Sequence, residues 1–346
     1  MSQKSPSTFR IPDLEAIFSA FPDEGTSPYY DDVLPEARAW IKLYQDQVYG
    51  PKMTEFIDRC KIELITYYVH PVASRSCVRA MMDLHNLFWL YDEATDVQSG
   101  QTAQETAKVV RNSLTSPEFN DGSWLCEMLQ DFRKRHLDGV RSSSFVARFI
   151  EHFCFYTDRV ADEAIYREKQ RVLDIPSYMA FRRETAAVRV VMDTVEYCAE
   201  LELPRTVLDD PVFQVAYDAA LDLAFGTNDI HSYNMEQSKD HSGANVITVI
   251  MKERGLDVQG AMDYFGGYCE ALTAQFLDAK RKIEKREGQE WKDAVLILDG
   301  YTHFLTGQVR WGFATERYFG KKNKEVQETR VVELRAPFVD HVDLAD

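Results

Sequence analysis

The sequence predicts an all-α protein built as a single helical bundle, and three observations predict it. Apolar residues recur every three or four positions through most of the chain. Alternating β-branched patterns are nearly absent, and only 16 glycines and 12 prolines punctuate 346 residues. No linker-like run divides the chain, which favours one large domain over two modest ones.

Taken in order, residues 1–12 carry Ser, Pro and Lys and are expected to be frayed, within a flexible lead-in covering 1–30. A loop over 27–35 precedes a helix from Ala37 to Val48. Between Met53 and Tyr68, residues Phe56, Ile57, Cys60, Ile62 and Ile65 keep helical spacing. His70-Pro71 then breaks the pattern, because a residue before proline is driven out of the α region. Residues 73–96 read as one long helix carrying Val78, Met81, Met82, Leu84, Leu87, Phe88 and Tyr91, with Asp92 near its far end and Gly100 as its stop. Further helices are expected at 101–115, 122–137, 141–168, 176–200, 212–236, 243–254, 257–286, 289–297 and 299–317. The stretch 246–251 is β-branched but lies between helical patterns and reads as helix. The charge run 280–287 reads as a solvated helix end. The helical domain covers 31–320. The tail, 321–346, is polar and then mixed, and either packs along the surface or caps the site.

Composition narrows the function. With 56 acidic against 40 basic residues the formal net charge is −16, which disfavours nucleic-acid binding because no basic stripe meets phosphates. An acidic protein that binds an anion needs metal ions or a local group of Arg and Lys. The six cysteines are scattered without C-x-x-C spacing and are expected to be reduced, buried and inert. The first ten residues hold no apolar leader, and no run approaches the ~20 apolar residues of a membrane span. A soluble, cytoplasmic protein is expected. The eight histidines show no H-E-x-x-H pattern, so a metallohydrolase lacks support.

The most informative stretch is Asn228-Asp229-Ile230-His231-Ser232-Tyr233-Asn234-Met235-Glu236. Asn228, Ser232 and Glu236 stand four residues apart. On a helix each such step drifts only about 40°, so an amide oxygen, a hydroxyl and a carboxylate climb one face. These are hard oxygen donors of the kind Mg²⁺ accepts. The preceding turns, with Leu221, Ala224 and Phe225, continue that face as an apolar one. Alone, such a row also describes a solvated helix face. A second acidic face upstream changes the balance: Asp92 and Asp96, again four apart, lie within Tyr91-Asp92-Glu93-Ala94-Thr95-Asp96, with Phe88 one turn back and His85 two turns back.

These two stretches resemble the metal-binding motifs of class I terpene synthases: an aspartate-rich motif and an N-D-x-x-S-x-x-x-E motif. The Asp-Glu form of the first and the Tyr-Asn inside the second are similar to fungal, basidiomycete-type sesquiterpene synthases. The resemblance covers about 60–320. It implies an α-helical bundle around a central apolar cavity, with Asp92, Asp96, Asn228, Ser232 and Glu236 binding three Mg²⁺ (Mn²⁺ being a substitute ion) and the diphosphate of a prenyl substrate. It further assigns Arg182, 46 residues before Asn228, as a diphosphate sensor, with Thr185 and Ala186 after it at an effector position where relatives commonly carry Gly. An Arg-Tyr pair about 80 residues beyond the second motif becomes Arg317 and Tyr318, with Trp311 six residues earlier. Many relatives carry a lysine just before the final Glu. Here Met235 stands there, and the nearest lysine is Lys239.

The implied reaction is ionisation of farnesyl diphosphate, with geranyl diphosphate as an alternative substrate, catalysed by Asp92, Arg182, Asn228, Ser232, Glu236, Arg317 and Tyr318. Lys239 joins the two arginines and Tyr318 at the diphosphate. The cation then needs a dry aromatic wall, for which Phe88, Phe155, Phe225 and Trp311 are the candidates, with Thr185 and Ala186 beside them. A chain-elongating prenyltransferase of the same fold would carry a second Asp-rich motif where Asn228–Glu236 stands. A non-catalytic helical scaffold would survive loss of Asp92. Monomer and homodimer both remain open.

Overall fold

The computed structural model describes residues 8–140, 142–239 and 242–336. Its helices are α1 Leu14–Ile17, α2 Tyr30–Val48, α3 Pro51–Cys60, α4 Leu64–Val69, α5 Arg75–Thr95, α6 Gly100–Thr115, α7 Trp124–His136, α8 Ser143–Glu168, α9 Ile175–Thr185, α10 Val188–Ala199, α11 Arg205–Leu208, α12 Pro211–Ser238, α13 Val246–Arg254, α14 Val258–Ile283, α15 Gln289–Ala314 and α16 Asn323–Thr329. Two three-residue strands, β1 Thr8–Arg10 and β2 Val331–Glu333, pair antiparallel. The fold is all-α, as expected.

Helix α12 is the central element. Its buried residues run from Phe213 to Ser238 on every side, the pattern of a helix enclosed by others. It packs on α14 and α15, while α9, α10 and α13 flank it. Its start is set by Asp210, whose carboxylate accepts from Val212 N and Phe213 N, with Pro211 at the first helical position. Helix α5 is started likewise by Ser74, which accepts from Cys77 N. It packs against α2, α4, α7, α8 and α10 and presents its last turn toward α12.

Several boundaries differ from the sequence reading, each for a local reason. Helix α2 begins at Tyr30, earlier than expected, with Pro35 inside it. The stretch 53–68 is two helices, because Lys61 turns left-handed at φ 44°. Gly100 opens α6 instead of stopping α5, whose final cap is Asp96. The helix expected over 176–200 breaks at Ala186, with Ala187 left-handed at φ 55°, even though no glycine is present. Conversely, 289–314 is one continuous helix. Residues 8–21, expected to be loose, are fastened by Phe9, Ile11, Leu14, Phe18 and Phe21, all buried in the main core.

The cysteine expectation also needs correction. Cys77 at the start of α5 and Cys198 at the end of α10 form a disulfide across 121 residues, with Cα atoms 5.5 Å apart. Cys60, Cys126, Cys154 and Cys269 are free and buried, as expected. Spacing alone could not reveal a pair that meets only through helix packing. No described helix is long and apolar enough to cross a membrane.

Candidate active site

Several helices and the turns between them meet around one cavity of about 510 Å³. Helix α5 brings Asp92, Glu93 and Asp96, and α12 brings Asn228, Ser232 and Glu236. Arg182 comes from α9, Lys239 from the cap of α12, and Arg317 with Tyr318 from the turn after α15. The wall includes Phe88, Tyr156, Phe225, Phe304 and Trp311, and the helix break contributes Thr185, Ala186 and Ala187. Phe88 stacks on Phe153 at 5.2 Å and meets the edge of Tyr156 at 5.6 Å, so α5 and α8 fix the wall jointly. Trp311 is oriented by its indole N–H donating to Lys61 O at 3.1 Å.

Phe155 does not belong there. It is 41% exposed and lies beneath the Arg159 guanidinium on the outer side of α8. One helical step of about 100° separates it from Tyr156, which does face the cavity.

The polar rim is organised by hydrogen bonds. Arg182 Nε donates to Asp229 Oδ1 at 3.0 Å and Arg182 Nη2 donates to Asn228 Oδ1 at 3.0 Å. The Asn228 amide in turn donates to Tyr318 Oη at 3.0 Å. Asp229 is fully buried and also accepts from Tyr178 Oη at 2.6 Å and Val246 N at 2.9 Å. Arg317 lies 3.8 Å from Glu93 and 4.0 Å over the Trp89 ring. Glu236 Oε2 accepts from the Asn245 amide at 2.9 Å.

Electrostatically the rim holds surplus negative charge. Burial, and then the neighbouring Asp96, push Asp92 up to about 6. Burial, then Glu93 and Glu163, do the same for Asp96. Burial and then Asp229 push Glu236 up to about 7. Among the described residues neither Asp92 nor Asp96 forms an ion pair, and Ser232 Oγ is buried without a hydrogen-bond partner. Hard oxygen donors with unmet charge suit a divalent cation. Among the described residues no three His, Cys, Asp or Glu side chains converge closely enough to hold one alone.

Sequence reasoning passed over Tyr156, Glu163, Tyr178 and Asn245. Glu163 lines the cavity beside Arg167, four residues on along α8, and that spacing was a usable signal. Asn245 reads as an N-cap before the apolar stretch of α13, but its second role depends on tertiary packing.

A helical bundle with two oxygen-bearing faces and two arginines around one aromatic cup has the fold of a class I terpenoid enzyme. Residues 83–275 match the family described as terpene synthase family 2, C-terminal metal binding. The chain is 50% identical over 343 residues to the sesquiterpene synthase Agr5 of Cyclocybe aegerita, covering 99% of this chain and 80% of that protein. It is 48% identical to a sesquiterpene synthase of Piloderma croceum, covering 96% of each. To the viridiflorene synthase Agr2 of Cyclocybe aegerita it is 46% identical, covering 95% and 87%. In fold it is similar to a linalool/nerolidol synthase from Streptomyces clavuligerus, with a TM-score of 0.76 at 18% identity over 85% of this chain and 99% of that one. An α-eudesmol synthase gives a TM-score of 0.72 at 19% identity, over 91% and 99%. The chain belongs to the terpene synthase family and is an enzyme of that lyase type.

Proposed function

We propose that the enzyme is a Mg²⁺-dependent sesquiterpene synthase that ionises farnesyl diphosphate and guides the carbocation to a sesquiterpene hydrocarbon or alcohol. The observation that carries this reading is the shared opening: the acidic end of α5 and the Asn228–Ser232–Glu236 face give onto the same aromatic-walled cavity. Its volume, about 510 Å³, lies within the usual ~300–1,000 Å³ of small-molecule pockets. The sesquiterpene synthases among its relatives support the fifteen-carbon substrate class.

Asp92, Asp96, Asn228, Ser232 and Glu236 are the residues that would hold the metal. When bound, Mg²⁺ supplies Lewis-acid neutralisation of the charge developing on the diphosphate. Arg182 and Arg317 grip diphosphate oxygens with planar forks, Tyr318 donates its phenolic hydrogen, and Lys239 adds a point charge. The allylic C–O bond breaks with its electron pair leaving on the diphosphate, and an allylic cation remains in the cup. The faces of Phe88, Tyr156, Phe225 and Trp311 attract that cation without quenching it. Loss of a proton to form an alkene, or capture of water to form an alcohol, ends the reaction. Residues 31–320 serve as the catalytic domain in this reading. Of the two readings of the tail, packing along the surface is favoured for its described part, because Asn234 and Gln237, which bond the backbone of Glu333 and Arg335, stand outside the cavity lining; 337–346 lie outside the described residues.

The test is incubation of purified protein with Mg²⁺ and geranyl, farnesyl or geranylgeranyl diphosphate, followed by mass spectrometry of volatiles. A C15 hydrocarbon or alcohol from farnesyl diphosphate is expected. A longer prenyl diphosphate would identify a chain-elongating enzyme, and no turnover of any substrate would overturn the reading.

A further inference from the structure

We infer that Asn245 is a positioning residue for the metal-binding face of α12, holding the Glu236 carboxylate in place through a single side-chain amide. This rests on the reading of Glu236 as a metal ligand. Asn245 is fully buried at the N-cap of α13 and stands outside both metal motifs. Its Oδ1 accepts from Ile247 N at 3.0 Å, the capping bond. Its Nδ2 makes two further bonds, to Glu236 Oε2 at 2.9 Å and to the main-chain O of Asp229 at 2.8 Å. One side chain therefore joins the start of α13 to two points on α12 almost two turns apart.

The surrounding bonds make the arrangement rigid. Val246 N donates to Asp229 Oδ2 at 2.9 Å, and the single Tyr178 hydroxyl hydrogen is shared between Asp229 Oδ2 at 2.6 Å and Ala244 O at 2.7 Å. The same Asp229 carboxylate receives Arg182 Nε at 3.0 Å. Asn245 thus sits where the support of Glu236 joins the support of Arg182. With Oε2 committed to Asn245, Glu236 keeps Oε1 for a cation. Without that donor, the carboxylate of a three-bond side chain is free to rotate. Partners behind metal ligands commonly contribute about 10–100-fold in metal affinity.

A purely structural role and a positioning role give different outcomes. A serine or an aspartate at position 245 keeps an oxygen that caps α13. Serine is too short to reach Glu236, and aspartate replaces the donor with an acceptor. Asn245→Ser and Asn245→Asp are compared with the unmodified protein by thermal melting, first in EDTA and then in a Mg²⁺ titration at fixed inorganic diphosphate. The expected result for Asn245→Ser is a folded protein whose half-maximal Mg²⁺ concentration for stabilisation rises about 10-fold or more. In turnover assays the same variant should recover rate at high Mg²⁺, with KM for the prenyl diphosphate little changed.

A Mg²⁺ midpoint within twofold of the unmodified protein in a folded variant overturns the inference. If Asn245→Ser does not fold, Asn245→Asp carries the test. If neither folds, Asn245 is a structural residue and the inference fails as well. If the unmodified protein itself shows no stabilisation by Mg²⁺ and diphosphate, it is the assignment of the metal site that fails.

Discussion

Arg182 Nη2 donates to Asn228 Oδ1 at 3.0 Å, so the guanidinium that we propose grips an anion and the oxygen that we propose meets a cation hold each other. In the proposed reading, binding of metal and diphosphate replaces this bond, each offering one partner what the other gives up. Arg182→Lys keeps the charge but loses the fork that spans Asn228 and Asp229. We expect diphosphate release to slow by about 10²–10³-fold, the usual effect of losing one well-placed donor to a developing anion. Steady-state kinetics beside a melting curve checks this; a rate near that of the parent would refute it.

The acidic rim sets a pH dependence in metal-free protein. Asp92 is held at about 6, against 3.8 for an ordinary carboxyl. Between those values the folded state binds more protons than the unfolded one. Stability therefore falls as pH rises through that window and stays reduced above it. Asp92→Asn removes the penalty. In EDTA the variant should be more stable than the parent at pH 7.5, by roughly 1–3 kcal/mol, with the gap closing toward pH 4.5. With Mg²⁺ and diphosphate added the order should reverse. Denaturation at the two pH values, with and without metal, reads both signs.

Helix α8 offers a paired control for the cavity wall. Tyr156→Leu removes an aromatic face that Phe88 touches and should redistribute the volatile products. Phe155→Leu, one residue away on the outer side, should leave the product ratios unchanged. Gas chromatography of the two variants side by side decides it, and a product shift with Phe155→Leu would contradict the assigned helix register.

Close packing of α15 on α4 makes Gly307 sensitive. A Cβ there would lie 2.6 Å from Tyr68 O and Tyr68 C, which are backbone atoms with no rotamer to escape into. Gly307→Ala should destabilise by about 1–3 kcal/mol in chemical denaturation. An unchanged midpoint would show that the two helices can separate freely.

The helical class and the two acidic faces were legible because both are periodic: four-residue steps on a helix put Asn228, Ser232 and Glu236 together whatever the fold does. The side on which an isolated aromatic lies was not legible, since α8 carries apolar groups on more than one face and Phe155 and Tyr156 look alike in sequence. The break at Ala186 was implied only by the resemblance to an effector position; the local pattern hides it because alanine is a helix former, and tertiary packing imposes the left-handed turn at Ala187. Cys77–Cys198 and the Asn245–Glu236 bond lie beyond sequence reasoning for the same reason: each joins segments that meet only in the packed bundle.

The small β1–β2 ribbon has a practical consequence. Phe9 meets the Tyr233 ring at 5.7 Å, and Asn234 holds Glu333 O, so residues near both ends of the chain rest on the back of the helical turns whose front carries Ser232 and Glu236. Trimming through residue 11 would strip β2 of its mate and loosen the backing of those turns. A Phe9→Ala variant would thin the same backing without touching the cavity, and a mild loss of activity in it would report on that neighbourhood, with the chemistry itself untouched.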